Sequence, residues 1–121
     1  MDQDLVHLKD LTNLKKLNLW RDSLSDYGFE PLANLVNLEW LNLDNTMLSD
    51  DGLGILKNMN KLKFLHLGST QITDDGLSKL EHLKTLDKLV VTRTGVTEEG
   101  AEQLNKKLPN TKIQVIYIEG E

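Results

Sequence analysis

Apolar residues fall in columns 24 residues apart along this chain. The frame that opens at Leu11 returns at Leu35, Met59 and Leu83. Within it, Leu14, Leu38, Leu62 and Leu86 form one column, and Leu17, Leu41, Leu65 and Leu89 a second. Leu19, Leu43, Leu67 and Val91 form a third. A fixed period of about 20–50 residues marks a solenoid, in which neighbouring units bury each other's apolar faces. Such a stack offers a long shaped surface rather than a pocket, so the period alone points to recognition.

Each period divides into the same parts. In the second copy, Leu38-Glu39-Trp40-Leu41-Asn42-Leu43 ends in apolar–polar alternation, which predicts a short half-buried strand. Asp44 to Leu48 turns the chain and returns Leu48 to the core. Ser49-Asp50-Asp51-Gly52 then precedes Leu53, Leu56 and Met59 at helical spacing. A hydroxyl residue followed by acids starts a helix: the side chain caps free amides, and the carboxylates favour the positive end of the dipole. Ser25-Asp26, Thr73-Asp74 and Thr97-Glu98 are the equivalent starts. Gly28, Gly52, Gly76 and Gly100 recur at one place, where a side chain would obstruct close packing or a backbone bend.

Strand, turn and helix repeated in one direction predict parallel strands on one face and helices on the other. Strands pack more closely than helices, so the sheet lines the concave side. The frame predicts one domain over residues 1–121, with a helical half-repeat cap at 1–10 and repeats at 11–34, 35–58, 59–82 and 83–107. The fourth repeat is one residue longer. A closing segment at 108–121 carries a fifth strand from Lys112 to Ile118, with Ile113 and Val115 on the core side. In the cap, Leu5 aligns with Phe29 and Leu8 with Leu32, so the array opens mid-unit.

The pattern L-x-x-L-x-L-x-x-N/C/T-x-L is present four times. Its residues are Leu14, Leu17, Leu19, Asp22 and Leu24, then Leu38, Leu41, Leu43, Thr46 and Leu48. They continue as Leu62, Leu65, Leu67, Thr70 and Ile72, and as Leu86, Leu89, Val91, Thr94 and Val96. The chain resembles the leucine-rich repeat family, and its helix start is similar to that of the 24-residue bacterial and F-box-associated repeats. The resemblance implies an α/β, right-handed solenoid with parallel strands on the concave face and helices on the convex face. It also implies protein recognition without a shared ligand. A Thr hydroxyl in the turn suits bonding to backbone amides; Asp22 in its place suits a terminal, partly exposed repeat.

Composition narrows the function. A net charge of −5 with both signs interspersed lacks the concentrated basic footprint of a nucleic-acid binder. With no cysteine, disulfides, thiolate nucleophiles and cysteine–zinc sites are excluded. The acidic start Met1-Asp2-Gln3-Asp4 is unlike a signal peptide, and no run approaches the ~18 apolar residues of a membrane span. These features lean toward the cytoplasm and leave the compartment open, since a fragment of a longer or exported protein would share them; no cofactor and no metal are expected.

Strand alternation sets the outward positions: Lys16, Asn18 and Trp20; Trp40, Asn42 and Asp44; Phe64, His66 and Gly68; Lys88, Val90 and Thr92, followed by Arg93; then Lys112, Gln114 and Ile116. In-register strands place Trp40 beside Phe64, with Trp20 within diagonal reach. Three of six aromatics thus fall where the repeat requires nothing apolar. Two other readings stand beside an interface: cross-strand stabilisation of the sheet, and cover by another segment.

Asp26, Asp50-Asp51, Asp74-Asp75 and Glu98-Glu99 form an acidic ridge that helix dipoles explain without a ligand. Among the histidines, His7 and His82 fall on helices or their ends and read as surface residues. His66, near Asp44, lacks an identifiable nucleophile beyond the sequence neighbour Ser69, so no enzyme is expected. Ile116 and Ile118 face outward on an edge strand, which another chain could extend. The acidic Glu119-Gly120-Glu121 tail could instead guard that edge. The sequence thus predicts a protein or peptide partner on the concave face. Trp20, Trp40 and Phe64 anchor it; Lys16, Asn18, Asn42, Asp44, His66, Lys88 and Arg93 surround them. The molecule is expected to be a monomer, or a weak homodimer through Ile116 and Ile118.

Overall fold

A computed structural model describes residues 2–20 and 26–117. Five three-residue strands, β1 (Lys16–Asn18), β2 (Trp40–Asn42), β3 (Phe64–His66), β4 (Lys88–Val90) and β5 (Lys112–Gln114), form one parallel sheet in chain order. The register has no stagger: Lys16, Trp40, Phe64, Lys88 and Lys112 occupy one row, and Leu17, Leu41, Leu65, Leu89 and Ile113 the next. The columns read from the sequence are therefore rows in space. Leu41, Leu65 and Leu89 are completely buried, whereas Leu17 and Ile113 on the outer strands are half-buried. β5 ends at Gln114, short of the expected Ile118, which lies outside the described residues with Asp22, Leu24, Ser25 and the acidic tail.

The convex side departs from the expectation of ordinary helices. Among the described residues it carries 3-10 helices at Asp2–Leu8, Asp26–Asn34, Asp50–Leu56 and Asp74–Leu80, and one α-helix, α1, at Glu98–Lys107. Length explains the difference. A 3-10 helix rises about 2.0 Å per residue against about 1.5 Å for an α-helix, so a short segment spans more of the back of the repeat. Pro31 in the second and the pair Gly52 and Gly54 in the third also disfavour α-helix. The fourth repeat, with its extra residue, has room for ten residues of α-helix. Leu5 is buried against this wall, and Leu8 is partly buried.

Successive repeats are tied by a ladder that the sequence reading assigned to helix dipoles. Asp26 Oδ1 accepts the Ser49 backbone N–H at 2.7 Å, Asp50 Oδ1 that of Thr73 at 2.8 Å, and Asp74 Oδ1 that of Thr97 at 2.8 Å. The second oxygen of each carboxylate accepts the hydroxyl of the same Ser or Thr. Asp26, Asp50 and Asp74 thus reach forward into the next repeat, while Asp51, Asp75 and Glu99 remain exposed. A Cβ on Gly52, Gly76 or Gly100 would collide with the carboxylate of Asp26, Asp50 or Asp74. The recurrent glycine is room for the previous repeat's acid. Capping is selective: Thr73 Oγ1 accepts from Asp75 N at 3.2 Å and Thr97 Oγ1 from Gly100 N at 3.0 Å, but Ser49 makes no side-chain cap.

The turn threonines also act otherwise than expected. Thr46, Thr70 and Thr94 donate their hydroxyls to the carbonyls of Leu43, Leu67 and Val91 at 2.7–2.8 Å; only Thr94 also accepts an amide, from Val96. Just before them, Asn45, Ser69 and Arg93 hold left-handed backbone, φ 51° to 59°. Asn tolerates this region; Ser and Arg are strained there by an order of 1 kcal/mol. The stack holds the corner: Asn45 N–H donates to Gly68 O at 2.9 Å, and Ser69 N–H to Thr92 O at 2.8 Å.

Candidate functional site

The row at the start of the strands carries the aromatic feature. Trp40 and Phe64 are register partners, stacked with centroids 5.2 Å apart and planes 15° from parallel. Such pairs contribute about 0.5–1.5 kcal/mol beyond area burial. The Lys16 ammonium lies 4.6 Å from the Trp40 ring centroid, and His66 meets Phe64 edge-on at 6.2 Å. Trp40 and Phe64 are half-buried, each leaving part of a ring to solvent. Lys88 continues the row beside Phe64, and Lys112 lies beyond it. The stack confirms that the rings pair across strands, and it leaves them accessible.

The geometry corrects several outward positions. Lys16, not Trp20, neighbours Trp40 on β1. Trp20 is level with Asp44, four residues along the ladder, which is about 13 Å of strand. It lies past the end of β1 with 53% of its surface exposed, so it extends the face at the opposite rim rather than joining the stack. Val90 and Thr92 are buried, with only 4% and 5% exposed. Alternation gives Val90 the right face, but His66 and Gln114 flank it in the register, and the inside of an arc leaves it little opening. Gly68 is buried too; a Cβ there would approach His66 Cε1 to 2.6 Å and Thr92 Oγ1 to 2.9 Å.

The polar row above the aromatics serves the fold. Asn18 Oδ1 accepts the Trp20 N–H at 3.0 Å, Asn42 Oδ1 the Asp44 N–H at 2.8 Å, and His66 Nδ1 the Gly68 N–H at 3.1 Å. These three side chains close the same turn in successive repeats. With Nδ1 accepting, a neutral His66 ring carries its proton on Nε2. Asp44 Oδ1 stands 3.9 Å from Nδ1, beyond hydrogen-bond range. Among the described residues no group of three or more His, Asp and Glu side chains could hold a metal ion.

Elsewhere, His7 is exposed, but His82 is half-buried, its Nε2 2.9 Å from Leu56 O, and so joins two repeats rather than lying free on the surface. Arg93, expected to give polarity to the face, lays its guanidinium 3.9 Å from the Tyr117 centroid. The sequence places Tyr117 inside a fifth strand running to Ile118, but β5 ends at Gln114 and the Tyr117 ring lies against Arg93. Beyond β5, Ala101 and Asn105 of α1 together with Ile113, Val115 and Ile116 line a groove of about 840 Å³. Ile116 is 63% exposed. No helix among the described residues is long and apolar enough to cross a membrane.

Solved structures share this architecture over nearly all of the chain. An internalin of Listeria monocytogenes superposes with a TM-score of 0.76 at 29% identity, over 96% of this chain and 34% of its own. The internalin C2 of the same organism gives 0.76 at 24% identity, over 96% of this chain and 50% of its own. A leucine-rich repeat protein of Leptospira interrogans gives 0.67 at 28% identity, over 90% of this chain and 27% of its own. The chain therefore spans half or less of each of these proteins. No family model and no curated protein matches it.

Proposed function

Because the chain is a leucine-rich repeat protein, we propose that it is a non-enzymatic interaction module that binds a protein or peptide across its concave sheet. The observation that carries this reading is the half-buried Trp40–Phe64 stack. The repeat needs nothing apolar at these positions, since its core is already filled by the leucine rows. Rigid aromatics ringed by polar groups are the usual composition of a binding hot spot. Lys16 and Lys88 flank the stack in its row, while Trp20 and Asp44 mark the far rim. Asn18 and Asn42 contribute through their side-chain amide N–H groups, His66 through its ring edge against Phe64, and Arg93 through its stack on Tyr117.

The double variant Trp40→Ala/Phe64→Ala should keep its far-ultraviolet circular dichroism and a cooperative melt, yet lose partner capture by at least about 30-fold in affinity, the effect of removing a hot spot of about 2 kcal/mol. Parallel pull-downs with wild type and variant, followed by mass spectrometry, measure this. An unchanged set of captured proteins would contradict the reading.

A second reading, self-association beyond β5, is favoured by the groove there. Ile113 is half-buried, whereas its inner equivalents Leu41, Leu65 and Leu89 are fully covered, and β5 is an outer strand of the sheet among the described residues. If this edge is used, light scattering shows a concentration-dependent dimer that Ile116→Lys disrupts. A strict monomer at high concentration rules it out.

A further inference from the structure

We infer that the partner presents an extended acidic segment, with glutamate or aspartate two residues to either side of an apolar anchor. This rests on the concave-face reading above and deepens it. The row that holds the anchors reads Lys16, Trp40, Phe64, Lys88, Lys112, one residue per strand: two aromatics, three lysines and no carboxylate. Among the described residues, no carboxylate forms an ion pair with Lys16, Lys88 or Lys112.

The other rows do not cancel this bias. Lys15, Glu39, Lys63 and Asp87, the residues preceding the strands, alternate in sign and sum to zero. Asn18, Asn42, His66, Val90 and Gln114 carry no formal charge with His66 neutral. Asp44 lies a further two residues along its strand, about 13 Å from the Trp40 position. The anchor row is thus positive in a molecule of net charge −5, and the acids nearest the aromatic pair, Glu39 and Asp87, are matched in their own row by Lys15 and Lys63.

Spacing selects the segment. Parallel strands lie about 4.8 Å apart, so Lys16 and Lys88 each stand about 7 Å from the midpoint between Trp40 and Phe64. In an extended chain, residues two apart point to the same side and are about 6.7 Å apart. A peptide crossing the strands with one apolar side chain over the ring pair therefore delivers its second neighbours on both sides to the two ammonium groups. A further acid four residues from the anchor falls near Lys112, about 12 Å from the midpoint. The motif is Glu-x-Φ-x-Glu, with Φ apolar and a third acid toward β5.

The test is a titration of the full chain against fluorescein-labelled peptides built on Glu-Ser-Phe-Ser-Glu, Gln-Ser-Phe-Ser-Gln and Lys-Ser-Phe-Ser-Lys, read by anisotropy. The glutamate peptide should bind about tenfold more tightly than the glutamine peptide, as two partly screened ion pairs allow, and the lysine peptide more weakly still. Lys16→Gln/Lys88→Gln should remove the preference, as should added salt. Equal affinities, a preference for the lysine peptide, or no binding by any of the three would overturn the acidic motif. If the peptides bind equally but release on Trp40→Ala/Phe64→Ala, the concave site stands and only the charge inference falls. If the glutamate preference survives that double variant, both fall.

Discussion

Leu65→Ala is expected to lower the unfolding free energy by about 3–5 kcal/mol, the loss seen when a well-packed leucine leaves a cavity that cannot collapse. Leu65 lies on the central strand, fully buried, with Leu41 and Leu89 beside it in the register. A solenoid's stability is nearly a sum over nearest-neighbour interfaces, and a central residue serves two of them. The same truncation at Leu17, half-buried on β1, removes less buried surface and touches one strand neighbour. It should cost less than half as much. Urea titrations followed by circular dichroism measure both, and an equal loss at the two positions would contradict the nearest-neighbour account. The central variant should also broaden the transition, because the repeats on its two sides are then coupled less strongly.

Gly76→Ala is the second large effect, and its sign is the informative part. By helix propensity alone, replacing a helical glycine with alanine stabilises by up to about 1 kcal/mol. Gly54 offers that case within the same fold: a Cβ there meets nothing within 4 Å, so Gly54→Ala should stabilise slightly. At Gly76 the new methyl collides with the Asp50 carboxylate and comes within 2.8 Å of Leu53 Cδ1. The expected outcome is a loss of about 1–3 kcal/mol, typical of overpacking. Asp50→Ala alone removes a charged acceptor from the Thr73 amide and hydroxyl, at a cost of about 1.5–3 kcal/mol. Combined, the two changes should cost at least about 1 kcal/mol less than their sum, since without the carboxylate the methyl has somewhere to go. Additive losses in the cycle would show that glycine is required here for its backbone rather than for the space it leaves.

These two experiments divide along the same line as the legibility of the fold. The leucine rows could be read because spacing along the chain equals position in the stack; Trp40 beside Phe64 followed from that alone. The role of Asp50 could not. Its partner Thr73 lies 23 residues away, and within one repeat the Ser/Thr-Asp pair looks like an ordinary helix start. The 3-10 form of the convex segments was hidden for a different reason: hydrophobic spacing over seven residues fits either helix, and the length available decides between them.

On the concave face, alternation gives direction but not access. Val90 and Thr92 point the expected way and are covered by their neighbours. Asn18, Asn42 and His66 looked like free recognition groups, yet each closes a turn through a bond to the amide two residues on. Trp20 lies away from the ring pair because register counts whole repeats: its equivalent in the second unit is Asp44, not Trp40. The register sets an aromatic pair between lysines, with Trp20 and Asp44 together at the far rim.

The unstaggered register gives the sheet the layout of a printed grid, with one column per repeat and one row per place in the repeat. The Asp-to-Ser/Thr ties join the first four columns in succession through residue types that recur from one to the next. Columns are therefore interchangeable parts. Duplicating or deleting one whole unit would lengthen or shorten the face by about 4.8 Å while every remaining tie could re-form. Recognition can in this way be rewritten one cell at a time, or resized by whole columns, without redrafting the fold beneath it.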